Sequence, residues 1–153
     1  MVKGKADHAI DLALEAFLPY RLNRISELVS QRFAALYRQR YGLTRPEWRA
    51  LAALGQFEHM TATAICQHSS MHKTKVSRAV ASLSERKWVL RETDGSDRRI
   101  EHLSLTREGK RVYRDLARYA HDYAADLRQM CGEPAYQQLE TGLAALEASF
   151  GIK

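Results

Sequence analysis

The stretch from Thr74 to Gly109, "TKVSRAVASLSERKWVLRETDGSDRRIEHLSLTREG", combines two periodicities. In its first part, Val76, Val80 and Leu83 are spaced by four and three residues, which is the period of one face of an α-helix. In its second part, the segments "WVLRET" and "EHLSLT" flank a run of turn residues, which is typical of an antiparallel hairpin. The stretch therefore predicts a helix that leads directly into a two-stranded arm.

Three more helices are predicted before this stretch. Apolar residues step by three and four from Tyr20 to Arg40, and Gly42 is a plausible stop for that helix. Thr44 and Glu47 have the spacing of a capping box at the start of a second helix, and Thr61 can cap a third. About three residues, "SSM", separate the third helix from the helix that follows it. This short connection predicts a helix-turn-helix, and the hairpin forms its β wing.

Two helices are predicted after the hairpin. Thr106 can cap a long helix in which apolar residues recur at steps of three and four. Gly132 and Pro134 break this helix, and the same spacing then continues to Phe150. The predicted fold is mainly α: a winged helix-turn-helix with a two-stranded β wing, flanked by N- and C-terminal helices.

The overall composition is typical of a soluble globular protein. The chain has 153 residues, of which 45% are hydrophobic and 27% are charged. It contains no run of 18 apolar residues and no recognisable secretory signal, so no membrane span or export is predicted. Cys66 and Cys131 lie far apart and form no CxxC motif, which favours a reduced, cytoplasmic protein.

The positive charge of the chain is concentrated in one region. The net charge is +6, and the segment from His72 to Arg111 alone has 11 Lys/Arg and 6 Asp/Glu. A local basic field of this kind suggests a polyanionic partner. From charge alone, a solvated surface remains an equally good interpretation.

The quoted stretch resembles the MarR family of bacterial winged-helix transcriptional regulators. The resemblance runs through the wing motif "D-x-R" (Asp97 and Arg99), the strand "LSLT" and the helix start "REG", and the flanking helices have the same order and length. It implies a homodimer in which the N- and C-terminal helices of two protomers interlock. Residues 1–153 then form one MarR-like domain, in which 44–106 are the DNA-binding lobe, and 1–43 and 107–153 are the helical dimerisation region.

Two positions depart from the usual pattern of the family. A glycine commonly follows the recognition helix, whereas Lys87 stands there in this chain. A left-handed backbone costs Lys roughly 1 kcal/mol relative to Gly, so we expect the helix to close differently. The recognition helix opens on His72, which is a poorer cap than the Ser or Asp often found at this point.

The recognition helix supplies the first set of candidate DNA contacts. The major groove admits an α-helix, and polar groups near the N-terminal end of that helix read the base edges. The alternative is a polar helix face in water. Arg78 can pair bidentately with a guanine or clamp a phosphate. The candidate residues are His72, Lys73, Thr74, Lys75, Ser77 and Arg78.

The tip of the wing supplies the second set, namely Asp97, Arg98 and Arg99. The resemblance implies that Arg99 enters a minor groove, where the negative potential favours an arginine. Arg98 is then a candidate phosphate contact, and we expect Asp97 to hold the guanidinium of Arg99 by a charge-assisted pair. The alternative is a solvated turn with a surface ion pair worth under about 1 kcal/mol.

Several aromatic and arginine residues lie on helices that the family uses for both the dimer core and a ligand pocket. Most of the aromatic residues are expected in the core or the interface. Some of them can line a pocket for a small aromatic or phenolic carboxylate, with an arginine meeting the acid. The candidate effector-binding residues are Tyr20, Arg24, Trp48, Arg49 and Tyr119.

Metal, redox and catalytic chemistry have weaker support. His68 and His72 are four residues apart, but the turn between the helices separates them and no further ligand completes a metal site. Cys66 is expected to be a small core residue and Cys131 to be more exposed, without signs of a reactive thiol. No nucleophile–base set or glycine-rich phosphate loop stands out, so neither an enzyme nor a cofactor is predicted.

The sequence therefore predicts a transcriptional regulator that binds double-stranded DNA sequence-specifically. The expected mode of action is a ligand-responsive repressor that binds a pseudo-palindromic operator as a homodimer. Three alternatives stay open: an architectural DNA-binding protein with little sequence preference, a thiol-based redox-sensing regulator, and a small-molecule enzyme on a helical dimer.

Overall fold

A computed structural model describes residues 12–152 of the chain. Within this range the predicted element order, four helices, a hairpin and two helices, is confirmed. The elements are α1 (Leu18–Tyr41), α2 (Arg45–Phe57), α3 (Ala62–Ser69), α4 (Lys73–Glu85), β1 (Val89–Thr93), β2 (Glu101–Leu105), α5 (Arg107–Cys131) and α6 (Glu133–Ser149). Residues 1–11, which were predicted to be part of the dimerisation region, lie outside the described range.

Side-chain caps fix the starts of three helices. The Thr44 hydroxyl accepts a hydrogen bond from the Glu47 N–H, and the Glu47 carboxylate accepts one from the Thr44 N–H at 2.6 Å, so the predicted capping box is confirmed. Thr61 caps α3, and Thr106 caps α5 through the Gly109 N–H at 3.0 Å. The sequence signals for these three helix starts are therefore correct.

The end of α4 differs from the expectation. Lys87 adopts a positive φ of 61°, so the predicted avoidance of the left-handed conformation at this residue is wrong. Its N–H donates to the Ser84 carbonyl at 2.9 Å, and the Trp88 N–H donates to the Leu83 carbonyl at 2.9 Å. This pair of hydrogen bonds is a Schellman motif, which satisfies two end carbonyls of the helix. These bonds compensate for the left-handed lysine and turn the chain from α4 into β1.

One hydrophobic core joins the helices of the central lobe to the wing. The apolar residues of α2, α3 and α4 are buried against one another, with Ile65, Val76 and Leu83 fully inaccessible. Leu103 and Leu105 bring β2 into the same core. The core includes the predicted inward-facing positions of α4, so its opposite face is turned toward solvent.

The wing is an antiparallel pair in which Arg91 stands opposite Leu103. Met60, before α3, adds a bridge on the other side of Leu103, with hydrogen bonds of 3.1 and 2.8 Å. At the base of the wing, Gly109 lies so close to Trp88 that an added Cβ would fall 2.1 Å from the Trp88 carbonyl oxygen. The glycine of the "REG" segment is therefore required for α5 to start beside the wing.

The terminal helices leave large apolar side chains uncovered. No residue of α6 is buried, and Leu139 and Leu143 are 49% and 40% exposed. Met130, at the end of α5, is 62% exposed. Several apolar residues in the first half of α1 are exposed as well, including Ile25 at 57%. No helix within residues 12–152 is long and apolar enough to cross a membrane.

Candidate nucleic-acid interface and adjoining pocket

The outer face of α4 carries polar and basic side chains. Its inner face is buried through Val76, Ala79, Val80 and Leu83. Within the described residues, no hydrogen bond or ion pair with the rest of the chain is made by the side chains in the first half of this face: Lys73, Thr74, Lys75, Ser77 and Arg78. All of the predicted contact residues of this helix are exposed: His72, Lys73, Thr74, Lys75, Ser77 and Arg78. These side chains are therefore available to an external partner.

The N-terminus of α4 keeps its backbone donors available as well. His72 occupies the N-cap position with an extended backbone, and its side chain makes no capping hydrogen bond. The predicted poor cap is thus confirmed. The first N–H groups of a helix attract anions, and Lys73 and Lys75 add positive charge at the same end.

The wing tip brings Asp97, Arg98 and Arg99 together on an exposed loop. The expected pairing of Asp97 with the Arg99 guanidinium is not observed. Instead, the Asp97 carboxylate accepts a hydrogen bond from the backbone N–H of Arg99 at 2.9 Å. This short local bond closes more easily than a pair with a long, flexible side chain. Asp97 therefore shapes the loop backbone and leaves the guanidinium of Arg99 free to reach outward.

A second aspartate, missed by the sequence analysis, organises the other side of this loop. One Asp94 oxygen accepts hydrogen bonds from the Ser96 N–H, the Ser96 hydroxyl and the Asp97 N–H at 2.6–3.0 Å. The other oxygen lies 2.8 Å from Nε2 of His102 on β2. The Ser96 and His102 contacts hold the pKa of the Asp94 carboxyl well below its usual range. The spacing of Asp94 and Ser96 is an Asx-turn signal that the sequence contained.

A buried carboxylate links α4 to α2. Glu47, 7% exposed, accepts hydrogen bonds from the Thr44 N–H and hydroxyl, and from the Ser82 hydroxyl on α4. Burial raises the pKa of Glu47, but the hydrogen bonds from Ser82 and Thr44 outweigh burial and leave it below its usual value. Arg86, at the end of α4, donates to the carbonyls of Tyr41 and Gly42 at 2.6 and 3.2 Å. The α1–α2 junction and α4 are therefore linked at two points.

A pocket of about 270 Å³ lies between α1, α2 and α5. Its aromatic walls include a Tyr37–Trp48 stack with 5.8 Å between ring centroids and a Phe33–Tyr123 stack at 5.7 Å. Two arginines one helical turn apart, Arg45 and Arg49, line its polar side. The pocket is therefore suited to a small, flat molecule that carries a negative charge.

The structure brings together only part of the predicted effector-binding set. Trp48 and Arg49 line the pocket. Tyr20 and Arg24 are exposed on the first half of α1, and Tyr119 lies under the Arg40 guanidinium, 4.2 Å from it. Phe33 and Arg45 were not predicted to line a pocket. Tyr37 and Tyr123 were among the aromatic residues expected in the core, the interface or a pocket, but helical spacing alone does not show which of these face a gap between helices.

The cysteines and the possible metal ligands were the remaining candidates for redox or metal chemistry. Cys66 is half-buried against the core and Cys131 is exposed, as expected. Among residues 12–152, no group of three or more His, Cys, Asp or Glu side chains is arranged to hold a metal ion.

Comparison with known proteins finds a family match over the winged helix. The model of the MarR family matches residues 41–100. A MarR family transcriptional regulator from Silicibacter pomeroyi DSS-3 has 26% sequence identity and a TM-score of 0.81, covering 92% of this chain and 99% of that chain. A search of curated proteins finds no match.

Two further solved structures share the fold at lower identity. A MarR/EmrR family transcriptional regulator from Acinetobacter sp. ADP1 has 21% identity and a TM-score of 0.80, with 93% of this chain and 100% of that chain covered. NadR in complex with 4-hydroxyphenylacetate has 18% identity and a TM-score of 0.72, with 95% and 97% covered. In all three comparisons, more than nine tenths of both chains is covered.

Proposed function

We propose that this chain, whose residues 41–100 match the model of the MarR family, is a transcriptional regulator that binds double-stranded DNA sequence-specifically and acts as a repressor. The observation that carries this proposal is the division of α4 into two faces. The apolar face is buried, while the side chains of five residues on the other face are exposed and without an intramolecular partner in the described structure: Lys73, Thr74, Lys75, Ser77 and Arg78. A concentration of unpaired basic side chains on one exposed helix face suits a polyanionic partner such as DNA.

The two exposed sets have different roles in this proposal. α4 enters the major groove, where Arg78 pairs with a guanine edge and Lys73, Lys75 and His72 approach phosphates. Thr74 and Ser77 are short enough to contact the backbone or a base edge. The wing reaches the neighbouring minor groove, with Arg99 inserted and Arg98 on the phosphate backbone.

We propose that the functional unit is a homodimer. The described part of α1 and all of α6 expose large apolar side chains, such as Ile25, Leu139 and Leu143, that a monomer would leave in water. A two-fold dimer presents two identical α4 helices, so the operator has inverted half-sites separated by about one helical turn, roughly 10 bp. The same association covers the apolar faces of the terminal helices.

We propose a small aromatic or phenolic carboxylate as the effector. The pocket pairs stacked aromatic walls with Arg45 and Arg49, which suits a planar ring bearing an acid. The structural neighbour NadR was solved with such a compound, 4-hydroxyphenylacetate. Because the pocket lies between α1, α5 and the start of α2, its occupant favours a lobe position that misfits the operator, by population shift.

The proposal is tested by selecting bound sequences from a random double-stranded DNA pool at fixed salt. The expected result is an inverted repeat that binds at least about 10³-fold more tightly than unrelated DNA. Affinity that hardly depends on sequence would instead support an architectural DNA-binding protein. A matched titration of selected DNA in the presence of aromatic carboxylates then tests the effector.

A further inference from the structure

Arg45, which lines the pocket, is already paired with a carboxylate of the protein itself. Its guanidinium donates to both oxygens of Glu27 on α1, at 2.9 and 3.1 Å. This two-point geometry is the one that a guanidinium offers to a free carboxylate ligand. Arg49, also in the pocket, makes no hydrogen bond or ion pair within the described residues. The two arginines of the pocket are therefore not equivalent.

We propose that Glu27 is a built-in competitor for the anionic effector, occupying the donor fork of Arg45 until the carboxylate of the ligand replaces it. This proposal rests on the proposed effector pocket and specifies how that pocket selects and senses its ligand. Glu27 lies just outside the pocket lining, and Val29 and Ser30, two and three residues further on, are within it. The end of Glu27 can therefore leave Arg45 for solvent without rearranging the aromatic walls.

The exposure of the pair makes the exchange feasible. The side chains of Arg45 and Glu27 are 36% and 49% exposed, so the released carboxylate is hydrated at once. An exposed pair of this kind contributes little free energy and is readily exchanged. The aromatic ring of a ligand adds burial against Trp48 and Tyr37, which Glu27 cannot supply. A ring with an acid therefore displaces Glu27, whereas a simple carboxylate such as acetate lacks the ring contacts to do so.

The exchange also connects the pocket to the DNA-binding lobe. The Glu27–Arg45 pair joins α1 to the first residue of α2. Arg45 follows the capping box of Thr44 and Glu47, and Glu47 is hydrogen-bonded to Ser82 on α4. Replacement of Glu27 by a ligand removes this tie between α1 and the start of α2. The ligand thus acts on an element that the recognition helix contacts.

The test compares full-length wild type with Glu27→Gln, which keeps the shape but not the charge, and Glu27→Asp, which keeps the charge but is one methylene shorter. Binding of 4-hydroxybenzoate and of its neutral amide, 4-hydroxybenzamide, is measured by calorimetry. Glu108→Gln is the matched control, because Glu108 forms a similarly exposed pair with Arg111 on α5. The side chain of Glu108 is 52% exposed, close to the value for Glu27.

We expect Glu27→Gln to bind 4-hydroxybenzoate about three- to fivefold more tightly, the size of one exposed ion pair, with no change for the amide. Glu27→Asp should also bind 4-hydroxybenzoate more tightly, because its carboxylate no longer reaches the guanidinium of Arg45.

A higher affinity for 4-hydroxybenzoate in Glu27→Gln but not in Glu27→Asp would overturn direct competition in favour of a general charge effect. If Glu27→Gln binds 4-hydroxybenzoate with the same affinity as wild type, the inference is overturned but the proposed effector pocket is not. If neither wild type nor Glu27→Gln binds 4-hydroxybenzoate, both the inference and the proposed effector pocket are overturned. The proposed DNA binding is then tested separately by the selection from a random DNA pool.

Discussion

The Glu47 carboxylate, in the first turn of α2, accepts a hydrogen bond from the Ser82 hydroxyl on α4. The same carboxylate caps α2 through the Thr44 N–H. A single buried acid therefore fixes the start of one helix and the position of another. Its neighbours are polar donors that would be left without a partner if it were removed.

We predict that Glu47→Ala lowers the free energy of unfolding by about 1–3 kcal/mol, because the Thr44 N–H and the half-buried Ser82 hydroxyl lose a charged acceptor. Chemical denaturation measures this change. Ser82→Ala, which removes one donor and leaves the capping box, should cost less. Equal stability of Glu47→Ala and wild type would show that the α2–α4 link contributes nothing to folding.

The pH dependence of the same link has a defined sign. The Ser82 and Thr44 hydrogen bonds outweigh burial and hold the pKa of Glu47 below its usual value. The stability from this group is therefore present above the unfolded-state pKa of about 4.3 and is lost as pH falls through the lower folded-state pKa. Glu47→Gln should remove this part of the acid dependence, which denaturation at several pH values will show.

We predict that Lys87→Gly stabilises the protein by about 1 kcal/mol. Lys87 has a φ of 61°, which costs a residue with a Cβ more than it costs glycine. The hydrogen bonds at this position involve its backbone: the N–H to Ser84, and the carbonyl, which accepts from the Thr106 hydroxyl at 2.8 Å. Lys87→Ala is the control and should leave thermal stability close to wild type. A destabilised Lys87→Gly variant would contradict the strain argument.

The sequence contained most of the fold because its signals there were local. The capping pairs Thr44–Glu47 and Thr106–Gly109 and the alternating wing strands depend on residues close in the chain. The errors arose where the spacing of residue types does not show which groups pack or hydrogen-bond with one another. Lys87 tolerates a left-handed backbone because a complete Schellman motif surrounds it. Arg45 was missed as a pocket residue because the gap it faces is formed by α1 and α5, whose packing against α2 cannot be inferred from helical spacing.

We predict that Arg78→Ala weakens operator binding and relaxes the preference at one base pair. Loss of a bidentate guanine contact should cost about 1–3 kcal/mol at that position. Arg78 is exposed, so the free energy of unfolding should change by no more than about 0.5 kcal/mol. Titration against a set of single-base operator variants measures both effects. A uniform loss over all sequences would make Arg78 a phosphate clamp instead.

We predict that Asp97→Asn retains most operator affinity, whereas Asp97→Ala loses it. The Asp97 side chain accepts a hydrogen bond from the Arg99 backbone N–H, and the amide oxygen of Asn can accept the same bond. Alanine cannot, so the loop would lose its shape. Binding of both variants to the selected operator at fixed salt is the measurement. Equal losses for Asn and Ala would mean that the charge of Asp97 matters, contrary to the observed geometry.

The final prediction separates the two wing arginines by DNA shape. If Arg99 enters a minor groove, wild type should bind an operator with narrow A·T-rich flanks better than one with G·C-rich flanks, because a narrow groove has a deeper negative potential. Arg99→Ala should reduce that difference.

Arg98 contacts only phosphate in this model of binding, so its loss should weaken both operators equally and lower the salt dependence by about one unit per protomer. The measurement is a titration of wild type, Arg98→Ala and Arg99→Ala against both flank designs at several salt concentrations. Both arginines are exposed, so the variants should fold as wild type does. If Arg99→Ala keeps the full flank preference, the wing does not read the minor groove through Arg99. The free guanidinium at the wing tip would then have to act on the phosphate backbone, as Arg98 does.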